Sequence, residues 1–142
     1  MAETTVRWIT GKQFVAIDST RHSVVLSTLE ENVGMKPSDM LLVALATCTA
    51  VDVVEILSKK RTPLSALEII TTAEQDPNPP WAFRKIHLKY IVSGAGLTEK
   101  SVEQAIFLSE SKYCSVAATI RGVAEITTSF EIRPEAPETA PS

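Results

Sequence analysis

Two kinds of side chain in this sequence have the reach for nucleophilic or acid–base chemistry: the cysteines Cys48 and Cys114, 66 positions apart (114 − 48), and the histidines His22 and His87. Their number and scatter match no zinc-site spacing, so neither a metal nor another bound cofactor is expected. That leaves thiol chemistry. Cys48 stands inside an apolar run, residues 40–57, where a free cysteine serves equally well as a small packed hydrophobe. Cys114 follows the polar run Ser109-Glu110-Ser111-Lys112 and precedes a predicted helix start. Unpaired N–H groups there stabilise a thiolate, although a plain helix-capping loop residue has the same surroundings.

A reactive thiol has a physical requirement. With an ordinary pKa of about 8.5, only about 3% of it is thiolate at pH 7. Lowering that pKa to about 6 multiplies the nucleophile roughly thirtyfold. Burial pushes the other way, so a cation beside Cys48 is expected. Asp52 and Glu55 follow Cys48 by one and two helical turns on the same face, and unless paired they raise the thiol pKa.

The elements that carry these residues can be read from periodicity. Residues 4–29 are β-like: Val6 and Trp8 alternate with Thr5 and Arg7, Gly11-Lys12 marks a turn, and residues 14–17 and 23–26 read as strands. Residues 30–36 form a loop. A helix is predicted from about Pro37 to Lys60, with Asp39 at the positive end of its dipole, Lys59-Lys60-Arg61 at the carbonyl end, and Pro63 beyond. Residues 67–72 form a strand and Asp76-Pro77-Asn78-Pro79-Pro80 breaks the chain. Ile86, Leu88, Tyr90 and Val92 then share one face of a half-buried strand, with His87 on the solvated face. Thr98 caps a second helix whose face carries Val102, Ala105, Ile106 and Ser109. A short helix spans about residues 114–120, and Ile126, Thr128, Phe130 and Ile132 alternate in a last strand.

At 142 residues the chain is sized for one domain, expected over residues 1–133, with a Pro-rich flexible tail over 134–142. Fourteen Lys and Arg against seventeen Asp and Glu give a net charge of −3, which offers nothing general to phosphate backbones or anionic lipid. No nucleic-acid partner is expected. The N-terminus lacks a signal-peptide pattern, so a cytoplasmic, reducing location is expected, where structural disulfides are uncommon. The run 40–57 contains Asp52 and Glu55, costly in lipid, and reads as a buried soluble helix rather than a membrane span. So many apolar helical positions need more cover than one small sheet provides, which argues for a dimer.

The segments around both cysteines go further. Lys36-Pro37-Ser38-Asp39-Met40-Leu41-Leu42, continued by Ala44-Leu45-Ala46-Thr47-Cys48-Thr49-Ala50-Val51-Asp52-Val53-Val54, resembles the first cysteine motif of the OsmC/Ohr family. Lys112-Tyr113-Cys114-Ser115-Val116-Ala117-Ala118-Thr119 resembles the second. Asp52-Val53-Val54 is closer to the OsmC-like branch than to the organic-hydroperoxide-resistance branch. The resemblance implies an α+β fold in which antiparallel sheets wrap two long central helices in an intertwined homodimer. It also implies a thiol-dependent peroxidase acting on organic hydroperoxides, and less efficiently on hydrogen peroxide. Cys48 would attack, Cys114 would resolve, and a small or protein dithiol would supply electrons.

In the hydroperoxide-resistance branch an N-terminal arginine, oriented by a glutamate at the start of the first-motif helix, activates the attacking cysteine. Arg21 is the candidate arginine here, with a solvated strand-end arginine as the plainer reading. Ser38 or Asp39 stands at the glutamate position, and on a straight helix Asp39 points about 180° from Cys48. Trp81 and Phe83 are candidates for a substrate pocket, or simply close the hairpin. The same scaffold also admits a redox-sensing or small-molecule-binding module without turnover. A protein merely stabilised by its disulfide fits a reducing compartment poorly.

Overall fold

A computed structural model describes residues 1–135 and divides the chain into two compact units, Met1–Val43 and Ala44 onward. The predicted tail lies outside the described residues from position 136 on. In the first unit, β1 (Thr5–Thr10), β2 (Gln13–Ile17) and β3 (Ser23–Ser27) form an antiparallel meander in the order β1-β2-β3. Gly11 turns β1 into β2 with φ of +51°, and a Cβ there would collide with the Glu31 carboxylate. That carboxylate accepts the Lys12 N–H at 3.0 Å and the Gln13 amide at 2.8 Å, tying the following loop to the turn. Buried Ser27 takes the N–H groups of Val33 and Gly34 and shapes the loop that leads to α1 (Pro37–Lys59).

The second unit holds most of α1, then β4 (Ala66–Gln75), β5 (Phe83–Ser93), α2 (Glu99–Leu108), α3 (Ser115–Ile120) and β6 (Glu125–Ile132). The sheet runs β4-β5-β6, with β5 at its centre. Ile86, Leu88, Tyr90 and Val92 of β5 are buried on one face, as the period-two pattern predicts. The strand pair β4–β5 is antiparallel, with Thr72 opposite His87. Here the expectation of antiparallel sheets needs correcting, because β6 lies parallel to β5, with Tyr90 opposite Phe130. A parallel neighbour needs a crossover of a dozen or more residues, and the helical stretch between β5 and β6 supplies it. That stretch is not one long helix: a π turn, Ser109–Tyr113, separates α2 from α3.

Local signals explain where the helices start and stop. Thr98 caps α2 in a reciprocal box with Ser101, each side chain taking the other's N–H at 3.1 Å. At the far end of α1, Arg61 adopts φ of 62°, and the N–H groups of Thr62 and Arg61 return to the carbonyls of Leu57 and Ser58. Backbone groups, rather than the basic side chains, therefore close this helix end. Along α1, Leu45, Thr49, Val53 and Leu57 recur every fourth residue and are fully buried. This helix is also long and apolar enough to cross a membrane by length and composition, and 22% of its apolar window is buried. His87, on the polar face of β5 as expected, also bridges two hydroxyls of β6, Thr127 at 2.7 Å and Ser129 at 2.8 Å.

Candidate active site

The second unit brings its two cysteines together. Cys48 lies half-buried on α1, and Cys114 is buried at the junction between the π turn and α3. Both thiols are free. Cys114 has extended backbone (φ −80°, ψ 109°) and caps α3, its sulfur accepting the Ala117 N–H at 3.3 Å. Placing the cysteine at the cap, rather than inside a helix, turns the first N–H groups of α3 toward sulfur.

Electrostatics separates the two thiols. Burial opposes ionisation of Cys48, but hydrogen bonds outweigh it and hold the thiol below its ordinary pKa. They come from the Cys114 thiol, the Val116 N–H, and the hydroxyl and N–H of Ser115. At Cys114 the balance runs upward, first through burial and then through its hydrogen bond to Cys48, with the partner's charge adding less, partly offset by the N–H groups of Ala117 and Val116. Of the two thiols, Cys48 is therefore the one that ionises first, while Cys114 keeps its proton to higher pH. The downward pull on Cys48 comes, within this unit, from the Cys114 thiol and hydrogen-bond donors at the start of α3 and not from the cation expected beside it.

Behind the pair lies a polar layer that sequence reasoning passed over. The buried Tyr90 hydroxyl donates to Thr49 Oγ1 at 2.9 Å, and Thr49 donates to the Ala46 carbonyl at 2.9 Å. Burial pushes Tyr90 up to a pKa of about 12, with Glu110, Cys114 and Asp52 adding negative potential. Ser109 donates to the Thr49 carbonyl at 3.1 Å and to Asp52 Oδ2 at 2.9 Å. Glu55 pairs with Lys59 at 3.1 Å, so both carboxylates that follow Cys48 have partners. Burial also raises Glu110, opposed by Arg121, whose guanidinium donates to the Glu110 carbonyl. The legible signal for this layer was Ser109 itself, a hydroxyl occupying an apolar-stripe position of the second helix.

The other candidates have local partners of their own. Arg21 and Asp39 belong to the first unit. Arg21 occupies the β2–β3 turn with φ of 67°, its N–H donated to the Asp18 carbonyl at 3.1 Å. Asp39 pairs with Lys36 at 3.9 Å on exposed helix surface. Trp81 closes the hairpin turn: its N–H reaches the Asn78 carbonyl, and its own carbonyl accepts the Gln75 amide at 2.9 Å. Phe83 opens β5 opposite Gln75. A hollow of about 650 Å³ in the second unit is lined instead by Gln104, Phe107, Glu110, Thr128 and Phe130, among others. Among the described residues no three His, Cys, Asp or Glu side chains gather as a cation site.

Protein YhfA of Escherichia coli K12 is 34% identical over 127 residues, covering 89% of this chain and 95% of YhfA. A hypothetical protein from Aquifex aeolicus VF5 superimposes with a TM-score of 0.86 at 28% identity, over 96% of this chain and 98% of its own. The organic hydroperoxide resistance protein OhrB of Bacillus subtilis shares the fold, with a TM-score of 0.63 at 12% identity over 92% of this chain and 98% of its own. The family model for OsmC-like proteins matches residues 29–129, a span that contains both cysteines and all of α1, and the chain belongs to the OsmC-like protein family.

Proposed function

We propose that this protein is a thiol-dependent peroxidase that reduces organic hydroperoxides, with Cys48 attacking and Cys114 resolving. The observation that carries this reading is the hydrogen-bonded pair itself, with Cys114 at the cap of α3 and the donors of Ser115 and Val116 on Cys48, an arrangement that lowers the Cys48 pKa and raises that of Cys114. The name of OhrB, a fold relative, agrees with it. The Cys48 thiolate attacks one peroxide oxygen, the O–O bond breaks, and the leaving alkoxide takes a proton and departs as an alcohol. Cys48 becomes a sulfenic acid and loses its charge. Part of what held the Cys114 proton disappears with that charge, while the N–H groups of Ala117 and Val116 remain to stabilise its thiolate. Cys114 then attacks the Cys48 sulfur, water leaves, and an external dithiol reduces the disulfide through two thiol exchanges.

This chemistry needs two thiols and a dithiol reductant, with no further cofactor. A cytoplasmic location would keep the resting thiols reduced. The test is hydroperoxide consumption by the reduced protein with dithiol present. Cys48→Ser, nearly isosteric, should abolish turnover with the fold intact, whereas retained turnover in that variant would overturn the reading.

A further inference from the structure

Ser109 touches both halves of the cysteine pair's support and is fully buried. Its hydroxyl bridges the carbonyl of Thr49, next in sequence to Cys48, and the carboxylate of Asp52 one turn further on. Its own carbonyl accepts the N–H of Cys114 at 2.8 Å. That last bond spans five residues and closes the π turn, where an ordinary helix would have used Tyr113. The inserted residue ends the helix one position later and lets Cys114 leave it with extended backbone to cap α3. One residue thus fastens the Cys48 helix by its side chain and the Cys114 turn by its backbone.

We propose that Ser109 is a positioning residue that sets the geometry of the Cys48–Cys114 pair and thereby favours the disulfide between them. The proposal rests on the reading of the two cysteines as a redox pair. Without the hydroxyl, the π turn loses its hold on α1 and the two sulfurs sample more arrangements. The effective concentration of one thiol at the other then falls.

The test is the thiol–disulfide equilibrium of the protein against mixtures of reduced and oxidised dithiothreitol. Oxidised dithiothreitol accepts two electrons and two protons from the two thiols as the Cys48–Cys114 bond forms. Ser109→Ala should lower the equilibrium constant for the protein disulfide about tenfold, equivalent to about 30 mV for a two-electron couple. A residue that only supports the fold would destabilise oxidised and reduced forms alike and leave this constant unmoved, and that result would overturn the proposal. If Ser109→Ala does not fold, Asp52→Ala removes one of the two acceptors and should lower the constant about threefold; an unchanged constant there also overturns it. Wild-type protein that forms the disulfide yet consumes no hydroperoxide would refute the peroxidase reading alone. Wild-type protein that forms no such disulfide would remove the pair and this proposal together.

Discussion

The hydroxyl of Tyr90, in the middle of β5, donates to Oγ1 of Thr49 at 2.9 Å, one residue beyond Cys48. Both side chains are fully buried, so this bond ties the central strand to α1 at the residue next to Cys48. Burial raises the phenol to about 12, so the neutral, donating form persists well above neutral pH. The folded-state value lies above the unfolded value of about 10, so the stability this group contributes is complete below pH 10 and is lost as pH rises toward 12. Tyr90→Phe should cost about 1 kcal/mol at pH 7, the usual net worth of a buried hydrogen bond. The variant should also lose less stability than wild type between pH 10 and 12. Urea unfolding at pH 7 and at pH 11 measures both effects.

Ser115 donates to Cys48 through its hydroxyl as well as its backbone N–H. Ser115→Ala removes one donor and keeps the backbone ones, so thiolate reactivity should fall about three- to tenfold at pH 7. Alkylation by iodoacetamide, followed against pH, should show the wild-type half-point below the 8.5 of an ordinary thiol and the variant's at higher pH. The linkage has a matching sign: the lowered Cys48 pKa stabilises the fold above the unfolded value, and that contribution is lost as pH falls through the folded one. Coincident profiles for the two proteins would contradict the role given to the hydroxyl.

Cys114→Ser should leave the first attack near its normal rate, because the serine hydroxyl can donate to Cys48 in place of the thiol and the donors of Ser115 and Val116 remain. The sulfenic acid then has no resolving thiol and should advance to sulfinic and sulfonic acid as peroxide is added. Mass spectrometry after one equivalent of hydroperoxide should find a loss of two hydrogens and a cross-linked Cys48–Cys114 peptide in the wild type. A gain of oxygen in the wild type, with the thiols unlinked, would make Cys114 structural.

Apolar side chains remain in the open on both units. On α1, Val51 is 61% exposed and Val54 47%, while on β1 Val6 and Trp8 are 62% and 68% exposed. Surface of this kind, lying on a core helix and a strand, is expected to be covered by a second copy of the chain. Sedimentation at micromolar concentration should give about twice 15.4 kDa, and Val51→Lys should shift the equilibrium toward monomer. A stable wild-type monomer at that concentration would exclude the homodimer.

Much of this protein was written locally. The alternation of Ile86, Leu88, Tyr90 and Val92 marked β5 and its buried face, because a strand turns every second side chain to the same side. Thr98 announced its helix because a capping hydroxyl acts within three residues. The two cysteine segments, by their resemblance to known motifs, pointed to the family that the match over residues 29–129 shows. Tertiary structure decided what those thiols meet. No periodicity reports that Ser109 reaches Asp52 across 57 positions, or that Tyr90 reaches Thr49 across 41. The π turn left no local mark either, since its extra residue is held in register by a bond to another helix. The reversal of β6 to run parallel to β5 follows from the crossover that α2 and α3 build, not from its own alternating residues. Burial and charge at Cys48 are sums over neighbours distant in sequence, so its ionisation was settled only once the chain had brought Ser115, Val116 and Cys114 against it.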